Sequence, residues 1–267
     1  MTMKNSILSL LSAEYPWKDR LHVFPELDST NVRLKAMARE GAPHGTVLIA
    51  DRQTGGRGRL GRYFHSPDGV GIYFSILLRP DCAPGELMHL TCATAVSMCQ
   101  AIEKSAGFRP GIKWTNDLVH NRRKLGGILT ELSLNSHGNV DFAIIGIGIN
   151  CCQQEGDFPA EIRSIAGSLA MSAGTSIDRS RVAAAMMEAL YEMDRTLLTG
   201  KEELLHRYRA DCITIGQDIS LVRGDEIRHG RAVDVDEEGA LVVVFPDGHR
   251  EAVNSGEVSV RGMYGYV

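Results

Sequence analysis

Apolar and polar positions alternate along the chain in two different ways, and the change between them lies near residue 213. Before that point, apolar runs of strand length are interspersed with longer segments in which apolar residues recur with the helical period. The pattern predicts strands over residues 46–50, 70–78, 111–114, 125–134 and 140–149. It predicts helices over residues 86–106, 178–198 and 201–211, and a further helix that is capped within residues 28–31 and stops at Gly41.

The second region, from Ile213 onward, consists of short apolar strands separated by turns that contain glycine. Regular short strands over about 50 residues are typical of a small β-barrel. We therefore place one domain over residues 1–212 and a second, barrel-like domain over residues 213–267.

The composition is that of an ordinary globular protein. Of the 267 residues, 43% are hydrophobic and 23% are charged, and the net charge is -4. This charge gives no general attraction to nucleic acid or to anionic membranes. No apolar run reaches the length of roughly 18 residues that a membrane span needs, so we expect a cytoplasmic protein. The six cysteines and nine histidines include no C-x-x-C pair and no metal-spaced pair, which predicts free thiols and no zinc site.

The densest group of chemically active residues lies in the loop that follows the predicted strand 46–50. Residues 51–62 contain four arginines and four glycines. Arginine presents a planar fork of donors that matches phosphate or carboxylate, and glycine lets the backbone approach a ligand closely. The loop contains the spacing G-x-G-x-x-G, but no helical pattern follows it, and the kinase and P-loop motifs are absent. The loop therefore predicts an anion site in a nucleotide-using protein that has neither a dinucleotide-binding fold nor a kinase or P-loop motif.

A second group lies where the predicted strand 111–114 ends and the next strand begins. Asn116 and Asp117 follow the first strand, and Lys124 opens the second. Glycine within a strand often marks the close approach of a ligand. Two glycine pairs interrupt the predicted neighbouring strands: Gly126, Gly127, Gly146 and Gly148. They predict a flat slot, cleared of side chains, beside Lys124.

These segments, in this order, resemble the signature motifs of the biotin protein ligase family. The loop resembles the family pattern G-R-G-R-x-G-R, and residues 113–117 resemble K-W-P-N-D. Residues 123–129 resemble R-K-L-x-G-I-L, and residues 146–150 resemble G-I-G-x-N. The resemblance extends over residues 22–262. It implies an α+β fold in which a mixed-sheet catalytic domain of the biotin/lipoate ligase type is followed by a small SH3-like β-barrel.

The resemblance also implies an ATP-dependent, AMP-forming ligase with biotin and ATP as substrates. Such an enzyme activates biotin to biotinyl-5'-AMP and transfers it to a lysine of a biotin carboxyl carrier protein, from acetyl-CoA carboxylase or a related biotin enzyme. Mg²⁺ is expected to be held mainly by the phosphates, with no metal site made of side chains. A homodimer is compatible with the family.

The position of each residue within the motifs implies its role. The catalytic residues are Lys124, Arg59 and Asp117. The biotin-binding residues are Ser29, Thr30, Asn31, Gln53, Gly56, Arg57, Gly58, Arg59, Lys124, Gly127, Gly146 and Gly148. The residues that bind ATP or the adenylate are Arg59, Arg62, Phe64, Asn116, Lys124, Asn150 and Arg261.

The chain departs from the family pattern at two places, and two alternatives stay open. Thr115 replaces the usual proline, and Phe64 lies where a tryptophan is common, so that it would stack on adenine as an apolar ring. The few residues before the signature predict a short form without the DNA-binding domain and no contact with DNA. The alternatives are a lipoate–protein ligase and a non-catalytic effector- or nucleic-acid-binding module. The polar side chains of Ser29, Thr30 and Gln53 favour the ureido group of biotin over the apolar dithiolane of lipoate.

Overall fold

A computed structural model describes residues 2–223, 226–254 and 259–262. The α-helices are α1 (Met3–Leu10), α2 (Thr30–Arg39), α3 (Leu90–Ala106), α4 (Leu169–Ala173), α5 (Arg179–Thr196) and α6 (Lys201–Asp211). The strands of the first region are β1 (Leu21–Leu27), β2 (Val47–Gln53), β3 (Gly71–Leu78), β4 (Gly111–Lys113), β5 (Asp117–His120), β6 (Arg123–Leu134) and β7 (Val140–Asn150). Those of the second are β8 (Asp218–Arg223), β9 (Glu226–Val235), β10 (Leu241–Val244), β11 (Arg250–Val253) and β12 (Ser259–Gly262).

Strands β1–β7 form one mixed sheet in the order β1-β2-β3-β7-β6-β5-β4. Strand β1 is parallel to β2, and each of the other neighbouring pairs is antiparallel. The interior strand β3 is buried along its whole length, as its apolar run predicts. The mixed sheet confirms the coarse fold class that the sequence predicts.

The two faces of the sheet differ, and the difference positions the candidate site. Because side chains alternate along a strand, Ile145 and Ile147 of β7 join the large core made with α3 and α5, whereas Phe142 and Ile144 pack against α2 in a smaller core. Helix α2 covers only part of its face. The remaining part, which includes Gly148 of β7, lies beyond the N-terminal end of α2, and Gly146 lies under Asn31 at that end.

The second region forms a five-stranded antiparallel sheet in the order β11-β10-β9-β8-β12. Its apolar side chains, among them Leu221 and Val243, extend the large core. Trp114, at the end of β4, joins the two sheets. Its indole Nε1 donates to the Gly239 carbonyl at 2.9 Å, and its backbone N–H donates to Thr214 Oγ1 at 2.9 Å.

The structure differs from the predicted elements at several places, among them an unpredicted short helix, α4. Helix α1 and strand β1 were not predicted, and β1 contains Pro25, which an edge strand tolerates because one row of its backbone groups needs no ladder partner. The predicted helix 86–106 begins instead with a short 3-10 turn over Pro84–Leu87, and α3 starts at Leu90. The turn after β4 holds an additional short strand, β5.

No described helix is both long and apolar enough to cross a membrane.

Candidate active site

A cavity lies on the open part of the α2 face, enclosed by the N-terminal end of α2, the loop after β2, the β4–β5 turn and strands β6 and β7. Most of the predicted site residues meet there, although they come from five separate parts of the sequence. The predicted residues that line the cavity are Ser29, Thr30, Asn31, Gln53, Arg57, Gly58, Arg59, Arg62, Phe64, Asn116, Asp117, Lys124, Gly127, Gly146 and Gly148.

Three predicted residues do not line the cavity. Gly56 lies behind the wall, where a Cβ would lie 2.7 Å from Ser66 Oγ, so this glycine is required by packing. Asn150 is buried and donates from Nδ2 to the Gly167 carbonyl at 2.9 Å, which makes it a support for the neighbouring loop. The backbone of Arg261 pairs with β8, and its side chain lies outside the described residues.

A group of charged and amide side chains occupies the end of the cavity near β5 and β6. Lys124 Nζ lies 2.6 Å from Asp117 Oδ1, and Arg59 Nη1 donates to Asn116 Oδ1 at 2.9 Å. Asn116 in turn donates from Nδ2 to the Ile128 carbonyl at 3.0 Å, which fixes its amide. Burial lowers the pKa of Arg59 below its ordinary value, while the charge of Asp117 acts in the opposite direction. Two cations are therefore held together in a partly desolvated place, where an anionic ligand is favoured.

The arginine-glycine loop folds over the cavity as a small hairpin. Gly58 N–H donates to the Arg62 carbonyl at 2.7 Å, and Arg57 pairs with Tyr63. Leu60 at the tip has a left-handed backbone, with φ of 57°, and is 64% exposed. The tip therefore has little apolar anchorage, and its polar backbone contacts hold its shape.

Arg179 of α5 holds the base of this loop, and the sequence analysis missed it. Its Nη2 donates to Asp51 Oδ1 at 2.5 Å, before the loop. Its Nη1 and Nε donate to the carbonyls of Gly69 and Gly71, after the loop, both at 2.8 Å. One guanidinium thus joins both ends of the segment, because its planar fork can serve several acceptors at once.

At the other end of the cavity, polar side chains form a buried network. Gln53 Oε1 accepts from the Thr30 backbone N–H at 2.8 Å, and Ser75 Oγ lies 2.7 Å from Thr30 Oγ1. Ser75 was not predicted, although a serine in an otherwise apolar, fully buried strand is a signal that could have found it. Asn31 connects this network to Glu131 on β6.

The glycines of β7 make room for side chains, so the predicted empty slot is wrong in detail. A Cβ on Gly146 would collide with the amide of Asn31, and a Cβ on Gly148 would lie 2.5 Å from the ring of Phe64. Gly126 faces Ile149, and only Gly127 of its pair lines the cavity, because successive residues of a strand point to opposite faces. The ring of Phe64, which the resemblance predicts to stack on adenine, lies over Gly148. It meets the ring of Tyr73 edge to face, with 6.4 Å between the ring centroids.

Two family models match the chain. Residues 23–150 match the Biotin/lipoate A/B protein ligase family, and residues 214–261 match the Biotin protein ligase C terminal domain. The first match contains the predicted site residues from Ser29 to Asn150, and the second covers the five-stranded sheet up to Arg261.

Relatives and solved structures agree with these matches. The bifunctional ligase/repressor BirA of Bacillus subtilis is 37% identical over 223 residues, which are 83% of this chain and 68% of the relative. The biotin--[acetyl-CoA-carboxylase] ligase of Mycobacterium tuberculosis is 30% identical over 255 residues, 93% of this chain and 91% of the relative. The biotin protein ligase from Aquifex aeolicus in complex with biotin and ATP has a TM-score of 0.78 at 32% identity, over 91% of this chain and 98% of that one. Together with the fold and the cavity, these matches show that the chain belongs to the biotin protein ligase family.

Proposed function

We propose that this biotin protein ligase joins biotin to ATP inside the cavity and then transfers biotin to a lysine of a carrier protein. The observation that carries the proposal is the arrangement of the cavity. Its polar network adjoins Gly146, and its cations Lys124 and Arg59 adjoin the end near Gly127. Gly127 is paired with Gly148, two residues from Gly146, so roughly 7 Å separates the two ends along the strand. A ring with a polar head and an acidic tail fits that arrangement.

In the first step, a carboxylate oxygen of biotin attacks the α-phosphorus of ATP. The new phosphorus–oxygen bond replaces the one to the β-phosphate, and pyrophosphate leaves. Two anions must approach each other, so a fixed positive charge close to the reacting atoms lowers the barrier. Lys124 and Arg59 supply that charge, and Asn116 holds Arg59 in place.

In the second step, the amine of the carrier lysine attacks the carbonyl of biotinyl-5'-AMP, and AMP leaves. Asp117 is the candidate to orient this amine or to accept its proton. In the structure its Oδ1 contacts Lys124 Nζ, so Asp117 also orients Lys124 before the substrates enter. The roles of these two residues are therefore coupled.

The donor set of the cavity fits a magnesium ion that is held mainly by the phosphates of ATP. Asp117 is the one carboxylate in the described lining, and the described residues contain no group of three His, Cys, Asp or Glu side chains that could hold a metal. Mg²⁺ usually keeps several waters and takes only one or two carboxylates in such sites. When bound, it would neutralise phosphate charge.

We further propose that residues 1–212 form the catalytic domain and residues 213–267 a small SH3-like barrel that covers the nucleotide or helps to dock the carrier. The five-stranded sheet and the match of residues 214–261 to the C terminal domain support this division. The proposed partner is a biotin carboxyl carrier protein, because the M. tuberculosis relative is named for acetyl-CoA carboxylase. We place this reaction in the cytoplasm. We also propose that Arg261 contacts the adenylate and that the protein forms a homodimer.

DNA is the main alternative partner, because the B. subtilis relative is named a ligase/repressor. The net charge of -4 and the acidic β9–β10 turn, with Asp236, Glu237 and Glu238, offer no basic face to the phosphate backbone. We propose that the chain does not act on DNA. Sequence-specific, salt-sensitive binding of biotin-operon-type DNA, with biotin and ATP present, would contradict this.

Pyrophosphate exchange tests the adenylation step. Lys124→Ala should lower the biotin-dependent exchange between ATP and pyrophosphate by roughly 100- to 1000-fold, the loss typical for one preorganised charge or donor. Lys104→Ala is the matched control, because its side chain is 70% exposed and its ammonium contacts only Glu188 in the described contacts. Exchange at the parent rate in Lys124→Ala would remove this lysine from the mechanism. Exchange that depends on lipoate and not on biotin would replace the proposed substrate.

A further inference from the structure

The hairpin of residues 57–63 carries the two most exposed large hydrophobic side chains in the described part of the chain. Leu60 is 64% exposed and Tyr63 is 63% exposed, whereas the other exposed side chains of this kind reach 58% or less. A single exposed apolar side chain is ordinary on a protein surface. These two, however, lie three residues apart, and both line the cavity. Exposed apolar surface is therefore concentrated at the mouth of the candidate active site.

The backbone at the tip of this hairpin disfavours a leucine. Leu60 and Gly61 are both left-handed, with φ of 57° and 74°, and the Arg62 backbone N–H donates to the Arg59 carbonyl at 3.2 Å. Two left-handed residues closed by this hydrogen bond are typical of a type I′ turn, whose first central position favours asparagine, aspartate or glycine. Neither the turn nor the core of the protein gains from a leucine at this place. Its presence indicates a contact with another molecule.

The hairpin is also a region of positive charge. Arg57 and Arg62 are exposed beside the two apolar side chains. No acidic residue occurs between Asp51 and Asp68, although the whole chain has a net charge of -4. A molecule that covers the tip meets these cations at the edge of the contact, so a surface with acidic groups is complementary to it.

The tip lies close to the groups assigned to the second step of the reaction. Arg59, the neighbour of Leu60 in the chain, donates to Asn116 Oδ1 at 2.9 Å. The residue after Asn116 is Asp117, which contacts Lys124 and is the candidate to orient the incoming amine. A carrier protein has to bring its lysine to this place from outside. The surface around that lysine then lies at the mouth of the cavity, against the hairpin.

We propose that Leu60 and Tyr63 form a docking contact for the carrier protein, whose matching surface presents an apolar side chain flanked by acidic groups. This inference rests on the proposed function, in which the carrier lysine attacks biotinyl-5'-AMP. A tyrosine ring framed by arginines is typical of the composition of protein interfaces. Leu60 does not touch the reacting atoms, and it increases the rate of transfer only by binding the carrier.

The test separates the two steps of the reaction in the full chain. Leu60→Asn removes the apolar side chain and suits the left-handed backbone, so the hairpin keeps its shape. Biotin-dependent exchange between ATP and pyrophosphate should stay close to that of the parent. Transfer from biotinyl-5'-AMP to the unmodified carrier domain of acetyl-CoA carboxylase should fall about tenfold in kcat/KM, the loss typical of an apolar side chain that becomes buried. Transfer to hydroxylamine, which needs no docking surface, should keep the parent rate.

Three further variants control for position, size and charge. Leu198→Asn should transfer biotin at the parent rate, because Leu198 is a 44% exposed leucine outside the cavity lining. Leu60→Met keeps an apolar side chain and should retain most of the transfer rate. Leu60→Asp and Leu60→Lys remove the same apolar contact with opposite charges. At low ionic strength Leu60→Asp should be the slower of the two, because acidic groups of the carrier repel it, and added salt should reduce the difference.

Carrier transfer at the parent rate in Leu60→Asn would overturn the inference. Faster release of biotinyl-5'-AMP from this variant, together with a faster reaction with hydroxylamine, would show that Leu60 covers the adenylate and would overturn it as well. Equal rates of Leu60→Asp and Leu60→Lys at low ionic strength would contradict the acidic character of the carrier surface. If the parent protein forms no biotinyl-5'-AMP or does not modify the carrier, the proposed function itself fails, and the parent alone shows it.

Discussion

Gly146→Ala gives the sharpest perturbation of the network. A Cβ at this position would lie 2.7 Å from Cγ and 2.8 Å from Nδ2 of Asn31, closer than side chains approach each other. Asn31 would have to leave its place, with loss of its contacts to Ser75 at 2.6 Å and to the Glu131 carboxylate at 3.0 Å. A neutral hydrogen bond contributes about 1 kcal/mol and one to a charged group about 1.5–3 kcal/mol, so the expected loss is about 2–4 kcal/mol.

The assay is urea unfolding, followed by far-UV circular dichroism, together with the dissociation constant of biotin. Gly146→Ala should lower the free energy of unfolding by the stated amount at an unchanged slope, and it should weaken biotin binding. Gly85→Ala is the matched control, because its Cβ would have no heavy atom within 4 Å and its φ is not left-handed. If Gly146→Ala is as stable as the control and binds biotin as the parent does, Asn31 does not fill the space over Gly146, and the reasoning on the network fails with it.

Three further outcomes follow from the same geometry. Arg59→Ala should speed the release of biotinyl-5'-AMP while the melting temperature stays near that of the parent; an unchanged off-rate with a lower melting temperature would make Arg59 structural. Arg179→Lys should speed amide hydrogen exchange over residues 54–68, because an ammonium cannot serve the three acceptors at the loop base together; unchanged exchange would show that other contacts hold the loop. Burial lowers the pKa of His89 in the folded state. As the pH falls through about 6.5, the imidazole therefore gains a proton more readily in the unfolded state than in the folded state, and the free energy of unfolding should decrease. His89→Gln should flatten the fall in the free energy of unfolding below about pH 6.5, and a curve as steep as that of the parent would exclude this histidine as its cause.

The sequence predicted which residues meet at the cavity better than it predicted their contacts. The motifs place Lys124, Arg59 and Asn116 correctly at one cavity because each motif lies at the end of a strand or in a loop beside it. The local pattern contains no information on pairs such as Asn31 and Glu131, which are 100 residues apart and meet only when α2 packs on the sheet. Arg179 was missed for the same reason, since its acceptors lie in another part of the chain.

The predictions that differ from the structure in detail have separate physical causes. A glycine in a strand shows that something approaches closely, but the pattern does not say whether it is a ligand or a side chain of the protein. At Gly146 and Gly148 it is a side chain, from Asn31 and Phe64. Asn150 is the last residue of a motif that faces the cavity, yet its own amide donates to the Gly167 carbonyl. The boundary of α3 shifted because Pro84 favours a separate turn before the helix.

The contacts of Trp114 have a consequence for any exchange of parts between relatives. The segment that presents Asn116 and Asp117 to the cavity is attached to the C-terminal region through the indole contact with Gly239 and the backbone contact with Thr214, both at 2.9 Å. A chimera that joins residues 1–212 of this chain to the C-terminal region of a relative would keep the catalytic motifs intact. It would still change the contacts that hold one of them, residues 113–117. Compatible partners are therefore those that reproduce a hydroxyl at position 214 and a turn with a free carbonyl at position 239, whatever their overall identity.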